Sequence, residues 1–543
     1  MEHCYRMLGV GLMAVMITGA CSRTTTNAQD GTAGAGNGTR QVETARYLNF
    51  NNWNEPEYLD PGLSSGIYES NIIRNLFEGL VGHDPRDASP QAAGAERWDI
   101  SADGRHYTFH LRTTARWTDG RPVTAHDYVY AWERVLNPKT GSKYAFALHY
   151  IKHARDYNTG RLTDASRLGF RAVDDFTLEV TLETPTPFML AFMCYPTFFP
   201  VPRWAIEAHG ARWTQPEHLV SNGAFALRRW VPYKEILLVK NDRYWDAARV
   251  TLPGVRFLPI EDKETALKMY AAGQLDIDWE LPEAKIPSLL THPDYVGAPY
   301  FSTYFYNLNT TKPPLDDVRV RRALTMAIDR ETLINAYLQR TQAPATGFVP
   351  SVGNGYHPAA AFAFDPAQAK RLMAEAGYPG GANFPVLELH YNTSEHHKQV
   401  AQIVQQMWKE HLGISVVLHN EEWKTYLKTQ QLMQHQISRA GWVGDYLDPN
   451  TFLEMFRRAS TIDHTGWKNA EYDGLLDQAM LERDTRKRMA FLQQAEALLL
   501  REAPIIPIYV HVKHMLIRPS VRGVSPNPMD VHPMKAVTMA EGE

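Results

Sequence analysis

The chain has 543 residues, 44% of them hydrophobic and 21% charged, with a formal net charge of −4. That length exceeds the roughly 250–300 residues at which a single hydrophobic core stops growing, so two or three domains are expected. The balance of 56 Lys+Arg against 60 Asp+Glu argues against a nucleic-acid partner, and 13 Trp, 26 Tyr and 21 Phe exclude a wholly disordered chain. No apolar run reaches the roughly 18–20 residues of a membrane-spanning helix.

Met7–Ala20 is an apolar run behind Arg6 that ends in small residues, the layout of a secretory signal. The segment Thr18-Gly19-Ala20-Cys21 resembles the lipobox of bacterial lipoproteins, in which the cysteine is acylated and starts the mature chain. Residues 1–20 are therefore expected to be a signal peptide and Cys21 a lipidated anchor to a membrane. Thr18 stands where Leu is usual, and Glu2 offsets Arg6, so ordinary cleavage with Cys21 incidental is the alternative. Residues 21–44 are rich in Ser, Thr, Gly and Asn, and such a stretch buries too little surface to fold; it reads as a flexible tether. Cys4 leaves with the signal and Cys21 is blocked by lipid. Cys194 alone remains, so no internal disulfide is expected.

Strand and helix patterns alternate from Tyr47 onward. Tyr107, Phe109 and Leu111 have the period of a half-buried strand, as do Phe176, Leu178, Val180 and Leu182. Asp103-Gly104 and Asp119-Gly120 read as turns. Val320, Leu324 and Ile328 follow helical spacing, and so do Leu492, Ala495 and Leu499 ahead of Pro504. No repeat of 20–50 residues is visible, so the class is mixed α/β rather than a solenoid.

Catalytic signatures are weak: the one GxSxG string, Gly62-Leu63-Ser64-Ser65-Gly66, follows Leu59-Asp60-Pro61 rather than a strand pattern and so makes no nucleophile elbow, and there is no HExxH, no P-loop and no GxGxxG after a strand. Glu395-His396-His397 looks like a metal site, but adjacent helical histidines point about 100° apart and no further ligand sits at the right spacing. These histidines, with His511 and His514, read better as surface or cleft residues. No enzyme activity, metal or cofactor is expected.

Six segments resemble, in order, the oligopeptide-binding proteins of bacterial ABC importers, within the extracellular solute-binding protein family 5. They are NNWNEPEYLDP (Asn51–Pro61), NIIRNLFEGLV (Asn71–Val81), DGRHYTFHLRTTARWTDGRPVTAHDYVYAWER (Asp103–Arg134), SNGAFALRRWVPYKEILLVKNDRYW (Ser221–Trp245), PPLDDVRVRRALTMAIDR (Pro313–Arg330) and EEWKTYLK…ISRAGWVGDYLDP (Glu421–Pro449). The resemblance implies a two-lobed, three-domain periplasmic-binding-protein fold with a two-strand hinge near Tyr300 and Val512. Domain I would take 45–77, 203–301 and 513–543, domain II 78–202, and domain III 302–512.

The resemblance also implies a site between the lobes. Asp445 matches the aspartate that receives a peptide N-terminus, while Arg439 and His397 are expected as cationic partners of its carboxylate. Gly441, Trp442, Val443, Trp423, Tyr144, Ser65 and Ile67 fall on or near matching blocks of the cleft. A binder of many peptides must read what all peptides share, namely backbone amides and charged termini, and Gly441, Trp442, Asp445 and Arg439 offer suitable chemistry. Ser65, Gln430 and Leu338 stand where many relatives carry charged residues, which leaves the peptide-length preference open. The implied partners are oligopeptides of a few residues and the permease subunits of an ABC transporter, for a monomer at the cell envelope. Cell-wall peptides, a metal chelate or haem are alternative ligands, and a surface lipoprotein for signalling or adhesion is the alternative role.

Overall fold

The structure, a computed structural model, describes residues 46–351, 356–358 and 363–540. The expected signal peptide, Cys21 and tether lie outside the described residues.

Strand β1 (Leu48–Asn51) and helix α1 (Ile67–Leu76) open the fold. A four-stranded antiparallel sheet follows, formed by β2 (Ala95–Ile100), β3 (His106–Leu111), β4 (Phe170–Asp174) and β5 (Thr177–Thr181) in the order β2-β3-β5-β4. Helix α2 (Ala125–Leu136) packs on it. The two alternating runs read from the sequence are neighbours here: Tyr107 pairs with Val180 and Phe109 with Leu178, so their side chains share one buried face. Gly104 and Gly120 adopt φ of 70° and 96°, left-handed values that glycine reaches without steric cost, and close the two expected turns.

The large sheet is built from β1 together with β6 (Phe225–Val231), β7 (Glu235–Lys240), β8 (Gly254–Leu258), β9 (Ile277–Asp278), β10 (Tyr295–Leu308), β11 (Leu387–Asn392), β12 (Val416–Glu421), β13 (Ile437–Val443) and β14 (Ile505–Ile517). Its order is β12-β11-β13-β10-β14-β9-β1-β8-β7-β6. Helices α3 (Val318–Met326), α4 (Glu395–Leu412), α5 (Trp423–Gln431) and α6 (Thr485–Glu502) belong to the half that contains β11–β13.

Each half has its own interior. One core runs from Leu48 through Trp117, Trp132 and Phe257 to Val537, joining the small sheet to the β1 end of the large one. A second gathers Tyr304, Leu324 and Trp408 beneath α3 and α4, and a third gathers Phe301, Phe348, Phe452 and Leu499 beneath α6. The chain is thus a two-lobed α/β protein. Cys194 is a free, buried thiol.

Strands β10 and β14 join the lobes. They have 14 and 13 residues, against about 5–6 for an ordinary strand, because each must serve both halves. Their ladder runs from Tyr295↔Leu516 to Pro299↔Val512, breaks, and resumes at Thr303↔Val510. In the gap the Phe301 N–H donates instead to Pro528, and the Phe301 carbonyl accepts from the Gly444 N–H, each at 2.8 Å. An interrupted ladder bends more easily than a continuous one, which makes Tyr300–Ser302 the hinge.

One helix ends early. The Val320–Leu324–Ile328 spacing predicts a helix through Ile328, but α3 stops at Met326, since the Asp329 carboxylate caps a new turn by accepting from the Thr332 N–H at 3.0 Å. Ile328 is buried all the same. Helix α6 carries Leu492, Ala495 and Leu499 inward as expected and ends at Glu502, two residues short of Pro504.

Arg488 of α6 grips Asp448 with two hydrogen bonds of 2.7 Å, and both residues are buried. Removing one partner strands a buried charge, at a cost of about 3–5 kcal/mol. Arg488→Met should therefore lower the stability of the second lobe by roughly that amount in denaturant titration. A loss below about 1 kcal/mol would show that the pair contributes no more than an exposed one.

Candidate functional site

The site is built on β13, whose sequence ISRAGWV alternates. Ala440 and Trp442 pack toward the Phe301–Phe348 core, whereas Gly441 and Val443 on the other side are exposed and Arg439 is half-buried. One edge of β13 pairs with β10 along its whole length, from Ile437 to Val443. The other edge meets β11 only at Ile437 and Ser438. Among the described residues no strand lies beside that edge from Arg439 to Val443. The Arg439 carbonyl is taken by the Tyr426 hydroxyl and by Gln430 Nε2, leaving the Gly441–Val443 stretch as the open part. A Cβ on Gly441 would come within 3.3 Å of the Arg439 guanidinium, so glycine lets that side chain fold back along the strand.

Beyond Val443 the chain is pinned on both sides of Asp445. Gly444 lies so close to the Phe301 ring that a Cβ would approach to 2.4 Å. The Tyr446 ring stacks on Phe188 of the first lobe with centroids 4.4 Å apart, and the Asp448–Arg488 pair follows. The Asp445 N–H donates to Thr451 Oγ1 at 3.3 Å. Its carboxylate forms no ion pair among the described residues and faces Tyr144, Tyr150, Tyr195 and Glu454. Burial without a cation pushes Asp445 up to about 6. Glu454, buried beside it, is pushed up to about 7 by the same cause.

Arg439 is the complementary case. Its guanidinium lies 4.8 Å from the centre of the Tyr304 ring, its Nε is buried without a hydrogen bond, and no carboxylate pairs with it among the described residues. The Tyr304 ring in turn stacks on Tyr509 at 4.6 Å, and the Tyr509 hydroxyl and His396 Nε2 are 2.7 Å apart. His397 and His511 sit close by, and burial, followed by the charge of Arg439, drives both down to about 3. Burial and the neighbouring charge of Arg439 favour the neutral ring of His397, which in this structure offers a hydrogen bond rather than a charge. Its Nδ1 is buried and unpartnered.

A pocket of about 330 Å³ opens between the lobes, lined by Lys263, Trp279 and Glu280 on one side and by His397, His511 and Lys513 on the other. Lys513 is satisfied within the protein, 2.9 Å from Glu280 and 3.2 Å from Asp530. Arg439 and Asp445, by contrast, have no oppositely charged partner among the described residues.

The structure brings Arg439, Gly441, Trp442, Val443 and Asp445 onto one segment, with His397 beside one end and Tyr144 beside the other. Trp423 starts α5 half-exposed, near Tyr426. Ser65 lies just before α1 and Ile67 is its first residue; Ile67 packs on the first-lobe core. Of the positions where a charge was missing, Leu338 is core and Gln430 is buried against Ser438. Sequence reasoning missed Tyr195, which reaches Asp445 from a distant segment, and Glu454, nine residues further along the chain, neither of which carries a local signal.

Two lobes on a two-strand hinge, with an open strand edge between unpaired charges, define a hinged ligand-binding protein. Residues 89–463 match the bacterial extracellular solute-binding proteins, family 5. The chain belongs to this family. It is 36% identical over 537 residues to the periplasmic oligopeptide-binding protein OppA of Salmonella typhimurium, covering 96% of each chain. It is 40% identical over 490 residues to the periplasmic murein peptide-binding protein MppA of Escherichia coli, covering 88% of this chain and 90% of that one. The unliganded open form of the murein tripeptide-binding protein MppA superposes with a TM-score of 0.84 at 37% identity, over 91% of this chain and 98% of that one.

The raised pKa of Asp445 has a sign. An acid shifted upward on folding supports the fold when protonated, so its contribution is greatest below about pH 4 and is lost as pH rises through 6. Asp445→Asn should therefore gain stability relative to the parent between pH 4 and 7, and the parent carboxyl should titrate near 6 by NMR. A difference between the two proteins that is flat across that range would refute the assignment.

Proposed function

We propose that the protein captures short oligopeptides between its lobes and delivers them to the permeases of an ABC importer. The observation that carries this reading is the pair of uncompensated charges, Arg439 and Asp445, at the two ends of an open strand edge. An extended peptide laid along Gly441–Val443 would pair its amides with that edge. Its α-ammonium would meet Asp445 and its carboxylate Arg439, with His397 donating a neutral hydrogen bond. Six positions separate the two residues, about 20 Å on an extended chain before the side chains reach inward. That span suits peptides of a few residues. Tyr144, Tyr195, Trp442 and Trp423 would wall the side-chain space without selecting one side chain, and Ser65 and Ile67 would approach when the lobes close.

Binding then supplies the contacts that favour closure. The similarity to the unliganded open form of a relative supports a resting state with the lobes apart. The names of the relatives support oligopeptides as the ligand class, and a periplasmic site of action. Within that class, cell-wall peptides gain support from the 40% identity to the murein peptide-binding protein. The three-domain division at 45–77, 203–301 and 513–543, at 78–202, and at 302–512 belongs to the same reading. A peptide recovered intact after prolonged incubation would agree with binding without catalysis.

Calorimetry with one tripeptide in free, N-acetylated and C-amidated forms, beside a murein tripeptide, tests the site. Asp445→Asn should weaken the free peptide by at least about a hundredfold, since a buried ammonium loses its partner. It should change the already weak binding of the acetylated form far less. Arg439→Gln should show the complementary pattern with the amidated form. Equal affinity of parent and Asp445→Asn for the free peptide would overturn the proposed polarity.

The lipid anchor is a separate part of the proposal, resting on Thr18-Gly19-Ala20-Cys21 and the polar residues after it. Cys21→Ala should leave the membrane fraction or stay unprocessed. A processed Cys21→Ala form that still sediments with membranes would exclude acylation as the anchor.

A further inference from the structure

Strands β11 and β12 run parallel, with Glu388 opposite Val417, His390 opposite His419 and Asn392 opposite Glu421. The two-residue period of a strand puts Glu388, His390, His419 and Glu421 on one face. His390 also lies opposite Ser438 of β13, so this face is the reverse of the one that carries Arg439. The two imidazoles stack with centroids 4.9 Å apart.

Their free nitrogens converge on one carboxylate. His390 Nε2 is 3.6 Å from Glu388 Oε2, and His419 Nε2 is 3.5 Å from Glu388 Oε1. Those separations are too long for hydrogen bonds, and both nitrogens are hidden from solvent without a partner. His390 is 8% exposed. Its other nitrogen, Nδ1, lies 2.8 Å from Glu421 Oε1 and donates to it, which leaves the lone pair on Nε2. A histidine oriented by a carboxylate behind it, with its opposite nitrogen free, is the usual arrangement of a metal ligand. Glu421 Oε2 and Asn392 Oδ1 are further buried oxygens with no hydrogen bond on the same face.

The lone pair on His390 Nε2 faces the Glu388 carboxylate and is repelled by it, and a cation between them reverses that sign. Donors around a tetrahedral ion with bonds near 2.1 Å lie about 3.4 Å apart, close to the two separations observed. The three donor atoms all lie within 4.8 Å of one another.

We propose that Glu388, His390 and His419 form a binding site for a borderline divalent transition-metal ion such as Zn²⁺, with Glu421 orienting His390 and a fourth position left for water. Two imidazoles and one carboxylate match the donor preference of Zn²⁺, whereas Ca²⁺ and Mg²⁺ require more oxygen ligands. The site would tie the edge strand β12 to β11 just before α5, the helix whose Tyr426 and Gln430 hold the Arg439 carbonyl.

The test is titration of the chelator-treated full chain with ZnCl₂, read by calorimetry and by thermal unfolding, with CoCl₂ as a spectroscopic probe. The parent should bind one Zn²⁺, with a raised Tm and, for Co²⁺, the intense visible bands of a tetrahedral site. His390→Gln, His419→Gln and Glu388→Gln should each weaken Zn²⁺ at least tenfold. The Glu388 side chain is half-exposed, so Glu388→Gln tests ligation without disturbing the core. Failure of the parent to bind Zn²⁺ would overturn the proposal. Unchanged affinity in Glu388→Gln and His419→Gln would place the ion elsewhere and overturn it equally.

Discussion

The antiparallel pairing of β10 with β14 carries the architecture. Each strand is shared: Leu516 and Ile517 of β14 pair with β9 in the first lobe, and Ser302–Leu308 of β10 pair with β13 in the second. A continuous ladder would make the two lobes one rigid sheet. The break at Tyr300–Ser302 prevents this, and it occurs where Phe301 turns its backbone groups to Pro528 and Gly444. The same residue that interrupts the ladder therefore fixes the start of the Gly444–Asp445 segment. The hinge and the Gly444–Asp445 segment are mechanically one unit.

Leaving two opposite charges unpaired is costly for a folded protein, and the surroundings show how the cost is confined. Asp445 is held between the Gly444–Phe301 contact and the Tyr446–Phe188 stack, so it cannot swing away to find water or a cation. Arg439 rests on Tyr304, and the neighbouring histidines stay neutral, which avoids a second positive charge. The nearby cation Lys513 is matched by Glu280 and Asp530. Lys513 is thus matched within the protein, whereas Arg439 and Asp445 have no oppositely charged partner among the described residues.

Contacts between the lobes outside the hinge are few in kind but specific. Tyr446 inserts against Phe188 and Phe192, and Arg483 donates to the carbonyls of Ser101 and Ala102. These link the second lobe to the small-sheet part of the first, beside Asp445. They give that end of the site a fixed wall, while the Lys263–Glu280 side of the pocket belongs to the part of the first lobe beyond the hinge.

Much of this was legible from residue order. The strand alternation of Tyr107–Leu111 and Leu178–Leu182 and the helix before Pro504 depend on local periodicity, which a sequence displays directly, whereas the Arg439–Asp445 segment stood out only through the family resemblance. Ile328 was misread as helical because a burial pattern does not reveal that Asp329 will cap a new turn. The neutrality of His397 and the isolation of Asp445 came only from tertiary structure, since both depend on which side chains lie nearby in space and how far water is excluded. The same holds for Glu388, His390 and His419. They lie on two strands separated by helix α4, and their nitrogens and oxygens converge only because parallel pairing sets His390 opposite His419. Sequence determined which chemical groups were available on each strand face; the register between strands decided which of them met.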